Sequence, residues 1–489
     1  MALLTTEYLK SLVRELVKLP SETEWVEFKC NNKDPQQIGE YISALSNSAT
    51  LCERPKGYLV WGIQNETHDI EGTTFSYQTS KKGNEELEAW LARMCSPRIN
   101  FRFYDVYIDD STKVVLIEIP CAEKQPVNFS GTEYIRVGSN KKKLKDYPEK
   151  ERLLWQAFDT TLPELRFSAE NKSAEEIITL LDYPRYYEKL DRPIPNTQKQ
   201  VLRDFEDEKF IHKNDAGSWD ITNYGALMIA KDLKRFDSLS RRAVRVIWYK
   251  DTSRLETVRE HVFSSGYAIS YDTIIEYVMT IIPQKEIIED GMRRQEISFP
   301  EIAIRELLAN IMIHQSLLQR GTSPMIEVFS DRIEFSNPGA PLVDIERIID
   351  TVPLSRNENI AGFMHRCGIC EERGSGYDKI LEATCANELL APRIENQNNQ
   401  FTKVVLFSKV PFNLIPREDR IRTCYMQACL AYVQYGTISN SDVRKVFGLS
   451  DKQMYIASRI IKDTLDAGLI KPLDEKTAPR YMRYVPYWA

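Results

Sequence analysis

The stretch FPEIAIRELLANIMIHQSL, residues 299–317, limits the fold of this chain more than any other. Ile304, Leu307, Leu308 and Ile311 recur at helical spacing, so they form one apolar face that needs a cover, and Pro300 suits a first helical position. Two short β-type runs follow, MIEVFS and RIEFSNPG, the second closing at an Asn-Pro-Gly turn. A helix followed by a strand pair reads as part of an α+β region.

At 489 residues the chain is too long for one core, and three or four domains are expected. Short strand signals alternate with helical ones over 22–137, where GYLVWGI, KVVLIEIP and EYIRVGS read as strands and NEELEAWLARMCS as a helix. The pattern predicts an α+β multidomain chain with modules at 1–155, 156–238, 239–412 and 413–489. The second module is read as a winged-helix-like connector with SWDIT as a short strand. The third holds the strand RRAVRVIWYK, helices near 270–282 and 300–315, and a closing strand FTKVVLFSKV. The last runs helix, helix, turn, long helix and strand, the order of a winged helix.

No apolar run approaches the roughly 20 residues needed to cross a bilayer, so no membrane contact is expected. MALLTTEYLKSLVRELVKLP reads as an amphipathic helix with Leu9, Leu12, Val13, Leu16 and Val17 on one side, and not as a signal peptide. Nine scattered cysteines fit a reducing cytoplasm. Cys367 and Cys370 form a lone CxxC without a second pair of ligands, so buried thiols are expected there.

Glu306 and Asn310 are four apart and share one helical face. A carboxamide oxygen there can hold Mg²⁺, and a carboxylate can orient or deprotonate a water. Downstream, Gly374 and Gly376 flank Ser375 before a helix, where backbone N–H groups can approach an anion. The order of a helix bearing E-x-x-x-N, a strand ending in NPG, and GSG before a helix resembles the GHKL ATP-binding fold. Within it, the closest likeness is to the divergent RecG-related ("divergent AAA") branch. That resemblance implies Glu306 as the water-activating residue and Asn310 as the Mg²⁺ ligand. Asn337, with Gly339 after it, stands where the family carries an aspartate for the adenine amino group, and Arg373, Gly374, Ser375 and Gly376 line the phosphates. His314 would line the same site, and Arg356 and Asn357 would reach phosphates. The lysine-bearing Walker loop is absent.

SETEWVEFK followed by WGIQNETHD resembles the Schlafen/AlbA-like module. It implies a metal-dependent ribonuclease site with Glu22 and Glu27 as ligands of Mg²⁺ or Mn²⁺ and Lys29 as the basic companion. The chain departs at the third acidic position, where Gln64 and Asn65 stand and Asp69 is the nearest substitute. Binding of nucleic acid is therefore expected ahead of cutting, through Arg136, Lys141, Lys142, Lys143 and Lys145.

Net charge is −6, so basic patches must be local. Residues 417–489 hold twelve Lys and Arg against eight Asp and Glu. Lys452, Gln453, Arg459 and Lys462 mark a recognition helix, and Lys476, Arg480 and Arg483 a wing. The combined expectation is a nucleotide-responsive regulator of DNA or RNA. Its alternatives are a nucleotide-gated tRNA or single-stranded DNA nuclease, as in defence against phage, and a homo-oligomeric scaffold.

Overall fold

The computed structural model describes residues 5–19, 23–52, 54–65, 67–160, 162–289, 292–371, 374, 376–478 and 481–489. Glu22, Arg373, Ser375 and Arg480 fall outside them. The fold is α+β throughout. The chain divides into two compact units, Met1–Leu162 with Lys213–Trp219, and Pro163–His212 with Asp220–Ala489.

In the first unit a four-stranded sheet runs Val26–Lys29, Lys56–Trp61, Lys113–Pro120, Arg102–Tyr107. Its first pair is parallel and the others antiparallel. The helix Thr6–Leu16 buries Leu9, Leu12, Val13 and Leu16, the apolar side read from its spacing. A second small sheet contains Thr132–Val137 and Asn140–Lys143.

The helix Pro35–Leu51, begun by an Asp34 cap and Pro35, is buried along most of its length. Ile38, Ile42 and Leu45 enter the apolar core. Ser43, Asn47 and Ser48 are equally buried but bind backbone: Asn47 Nδ2 donates to the Val127 and Tyr134 carbonyls, and Asn47 Oδ1 accepts from Val127 N–H. Ser48 Oγ accepts from Arg136 N–H at 2.9 Å. These side chains complete a strand edge that would otherwise be buried without partners. Asn47→Ala removes three hydrogen bonds to backbone at once and leaves the buried Val127 N–H without this acceptor, while the Val127 carbonyl keeps Ser43 Oγ. It is expected to lower the unit's unfolding free energy by about 2 kcal/mol or more, read as a lower urea midpoint at unchanged slope.

In the second unit a six-stranded sheet is ordered Thr257–Phe263, Val244–Tyr249, Met325–Val328, Arg332–Pro338, Phe401–Phe407, Arg393–Gln397. Val244–Tyr249 and Met325–Val328 pair in parallel, so the chain between them must cross over, and it does so through the helices Tyr267–Ile281 and Glu301–Ile313. The 301–313 helix buries Ile304, Leu307, Leu308 and Ile311 as its spacing requires, with Pro300 one step earlier than expected, at the cap. It packs on the Arg332–Pro338 strand and on the helix Gly376–Ala386. Helices Arg417–Val433, Asn440–Val446 and Met454–Asp466 and an antiparallel pair, Ile470–Pro472 with Tyr484–Pro486, close the chain. Among the described residues no helix is long and apolar enough to cross a membrane.

Candidate nucleotide and nucleic-acid sites

The 301–313 helix presents Glu306 on the side turned to the 376–386 helix. A Cβ built on Gly376 would stand 2.8 Å from Glu306 Oε2, so glycine there is what lets the carboxylate lie against the loop's backbone. Gly374 holds φ 75°, a left-handed conformation that glycine adopts without strain. The two motifs, far apart in sequence, thus meet. Burial holds the Glu306 carboxyl above its ordinary range, with the nearby Lys379 ammonium opposing the shift. Asn310, one turn on, is half-buried, and its carboxamide has no hydrogen-bond partner among the described residues.

The strand Arg332–Pro338 places Asn337 opposite Thr402, 4% exposed, with Nδ2 donating to the Pro338 carbonyl at 3.0 Å. Gly339 N–H donates to the Gln400 carbonyl, and Thr402 Oγ1 to the Gly339 carbonyl.

Two expected phosphate contacts bind backbone instead, Asn357 with its whole amide and Arg356 with part of its guanidinium. Arg356 lies against Gly339 and donates Nε to the His314 carbonyl and Nη2 to the Ala340 carbonyl. Asn357 is 1% exposed and spends its amide donors on the Ile313 and Gln315 carbonyls. Both tie the loop after the 301–313 helix in place, and the donors committed to backbone do not reach a ligand, which leaves Arg356 only Nη1 outside these bonds. His314 caps that helix, and burial together with Arg356 pushes its imidazole down to about 4. It is neutral near pH 7 and offers phosphate no charge.

In the first unit, strand alternation sends Val26 and Phe28 into the core and Glu27 and Lys29 to the opposite face. There Glu27, 2% exposed, is paired with both Arg136 and Lys29. Arg136 is fully buried, which corrects its reading as a surface phosphate contact. Lys29, Arg136 and Lys141 surround the Tyr41 ring at 5.1, 5.8 and 4.4 Å, and Lys141 also binds Glu40 at 2.5 Å. That bond removes Lys141 from the free basic run, whereas Lys142, Lys143 and Lys145 are exposed.

The described residues around Glu27 do not fit a divalent metal. A cation at Glu27 would have to displace a guanidinium and an ammonium already neutralising it. Gln64 Oε1 is occupied by Thr67 Oγ1 at 2.8 Å. Among the described residues no three His, Cys, Asp or Glu side chains stand together as a metal cluster.

Near the C-terminus, Lys452, Arg459 and Lys462 are exposed, but Lys452 and Gln453 sit in the turn before the 454–466 helix. Gln453 Oε1 accepts from Ser450 N–H and Oγ, so this oxygen is engaged locally and the place of Lys452 and Gln453 on the recognition helix is corrected to the turn before it. Sequence reading missed Tyr455, 72% exposed on the same helix as Arg459 and Lys462. It also missed Tyr41, and Lys379 three residues past Gly376. The signal for Lys379 was its place in GSGYDKI, one turn into the helix that the glycines begin.

Residues 22–145 match the family described as "Schlafen, AlbA_2", and residues 321–406 match the one described as "Putative ATP-dependent DNA helicase recG C-terminal". The chain therefore joins a Schlafen/AlbA-type module to an ATPase-like module, the architecture its motifs resemble. No curated protein matches it. Among solved structures, the DIP2311 protein from Corynebacterium diphtheriae is 16% identical over 98% of this chain and 97% of its own, at a TM-score of 0.42, a likeness too loose to argue from.

Proposed function

We propose that the second unit binds ATP between the 301–313 helix, the Asn337–Gly339 turn and the glycine loop, and that the protein is a nucleotide-responsive regulator bound to DNA or RNA. The observation that carries this reading is the Glu306 carboxylate lying against Gly376. A bare glycine at that contact is what bringing E-x-x-x-N to the glycine loop requires.

In this reading Asn310 would hold Mg²⁺, which when bound neutralises phosphate charge. Glu306 orients the water, and its raised proton affinity suits it to take a proton. Asn337, with its amide donor turned to the Pro338 carbonyl, keeps its oxygen for the amino group of a base. Lys142, Lys143 and Lys145 would meet phosphates on one nucleic-acid surface. Arg459, Lys462 and Tyr455 would form another on a winged helix at residues 413–489. The burial of Glu27 against Arg136 supports binding by the first module rather than cutting.

The test is thermal. MgATP at about a hundred times its Kd should stabilise the unit that holds the site by about 2.7 kcal/mol, and Asn310→Ala should lose most of that shift. A wild-type protein whose melting ignores MgATP would sink the reading.

A further inference from the structure

Glu306 has company at the foot of the glycine loop. Lys379 reaches back from the first turn of the 376–386 helix, placing Nζ 3.7 Å from Glu306 Oε1 and 2.7 Å from Glu371 Oε1. The three differ in exposure: the side chains of Glu306, Lys379 and Glu371 are 12%, 29% and 46% exposed. One ammonium therefore serves an inner and an outer carboxylate. The inner contact is fixed by packing, because Glu306 is wedged against Gly376. The outer one is a solvent-facing ion pair of the kind that contributes about 0–1 kcal/mol, and it is the one an incoming anion can replace.

The position of the amine follows from that of the carboxylate. A carboxylate that orients a water for attack stands beside the last phosphate of the chain being cut. An ammonium within 4 Å of it is placed beside that same phosphate.

We infer that Lys379 is the residue by which this site tells a nucleoside triphosphate from a diphosphate, exchanging Glu371 for an oxygen of the terminal phosphate. The inference rests on the nucleotide reading above. Both bonds are charge-assisted, and the exchange is favoured because the Glu371 pair is exposed and weak while a terminal phosphate carries more negative charge than a carboxylate. The exchange also takes Lys379 from Glu371, so occupancy by a triphosphate changes the partners of this ammonium. The Glu371 bond raises the proton affinity of Lys379 before the exchange, and the anionic phosphate oxygen takes over that part after it.

The experiment is calorimetric titration of the full chain with MgATP and with MgADP, for wild type, Lys379→Met and Lys379→Arg. Wild type should bind ATP more tightly than ADP. Lys379→Met should lose roughly tenfold in ATP affinity, the size of one charge-assisted hydrogen bond, and less than twofold in ADP affinity. Lys379→Arg should recover part of the preference. Retained ADP binding shows that the variant is folded. Equal losses for both nucleotides, or no loss for either, overturns the role of Lys379 and leaves the nucleotide site standing. Wild type that binds neither overturns both.

Discussion

Arg136→Met is expected to lower the unfolding free energy of the first unit by about 3–5 kcal/mol, which for a unit of this size is a fall of roughly 10 °C in melting temperature. The guanidinium is fully buried and Glu27 is 2% exposed. Removing it leaves a carboxylate inside the protein with Lys29, itself 18% exposed, as the remaining partner. Most of the loss is the cost of a buried charge without its counter-charge, and little of it is the worth of the pair. The double variant Glu27→Leu with Arg136→Met should therefore be more stable than Arg136→Met alone. If the single variant melts with the wild type, the pair does not hold the module together. If Mn²⁺ raises the melting temperature of wild type but not of Glu27→Gln, the carboxylate opens to metal and the case against a metal site fails.

The same pair shows where sequence reading stops. The alternation in WVEFK puts Glu27 and Lys29 on one side of a strand, and that much is legible. Nothing local says that Arg136, more than a hundred residues on, fills the space a metal would need. Its place is set by pairing with the 140–143 strand and by Ser48, a tertiary matter. The helix Pro35–Leu51 escaped for a related reason. Its inward face carries Ser43, Ser46, Asn47 and Ser48, so apolar periodicity underreports a buried helix whose polar side chains serve a neighbouring strand. The 301–313 helix was legible because its buried face is almost wholly aliphatic. Its meeting with the glycine loop was expected from motif order, and the fit of Glu306 against Gly376 gives that order a physical basis. Asn357 departs from its reading because loop donors look free in a sequence, whereas its amide is spent on backbone carbonyls, as are Nε and Nη2 of Arg356.

Glu306→Gln should separate the two consequences of that fit. On the proposed mechanism it removes the group that takes the proton from water, so hydrolysis of MgATP should fall by roughly 10²–10⁴ with affinity retained. Stability should move the other way. Burial raises the folded-state affinity of Glu306 for its proton above the ordinary value of 4.5. Below that value the carboxyl is neutral in folded and unfolded chains alike, and Glu and Gln should be close in stability. As pH rises past it, the unfolded chain releases the proton more readily than the folded one. The wild type then loses stability until the folded carboxyl has ionised too, and the glutamine variant does not. Urea midpoints measured between about pH 4 and 8 should show the gap opening in the direction of greater stability for Gln. Lys379→Met should widen the wild-type decline, because its ammonium opposes the shift. A gap that is constant with pH, or that closes as pH rises, would mean that the Glu306 carboxylate is not held in the buried contact with Gly376, and the site would lose the feature on which its chemistry depends.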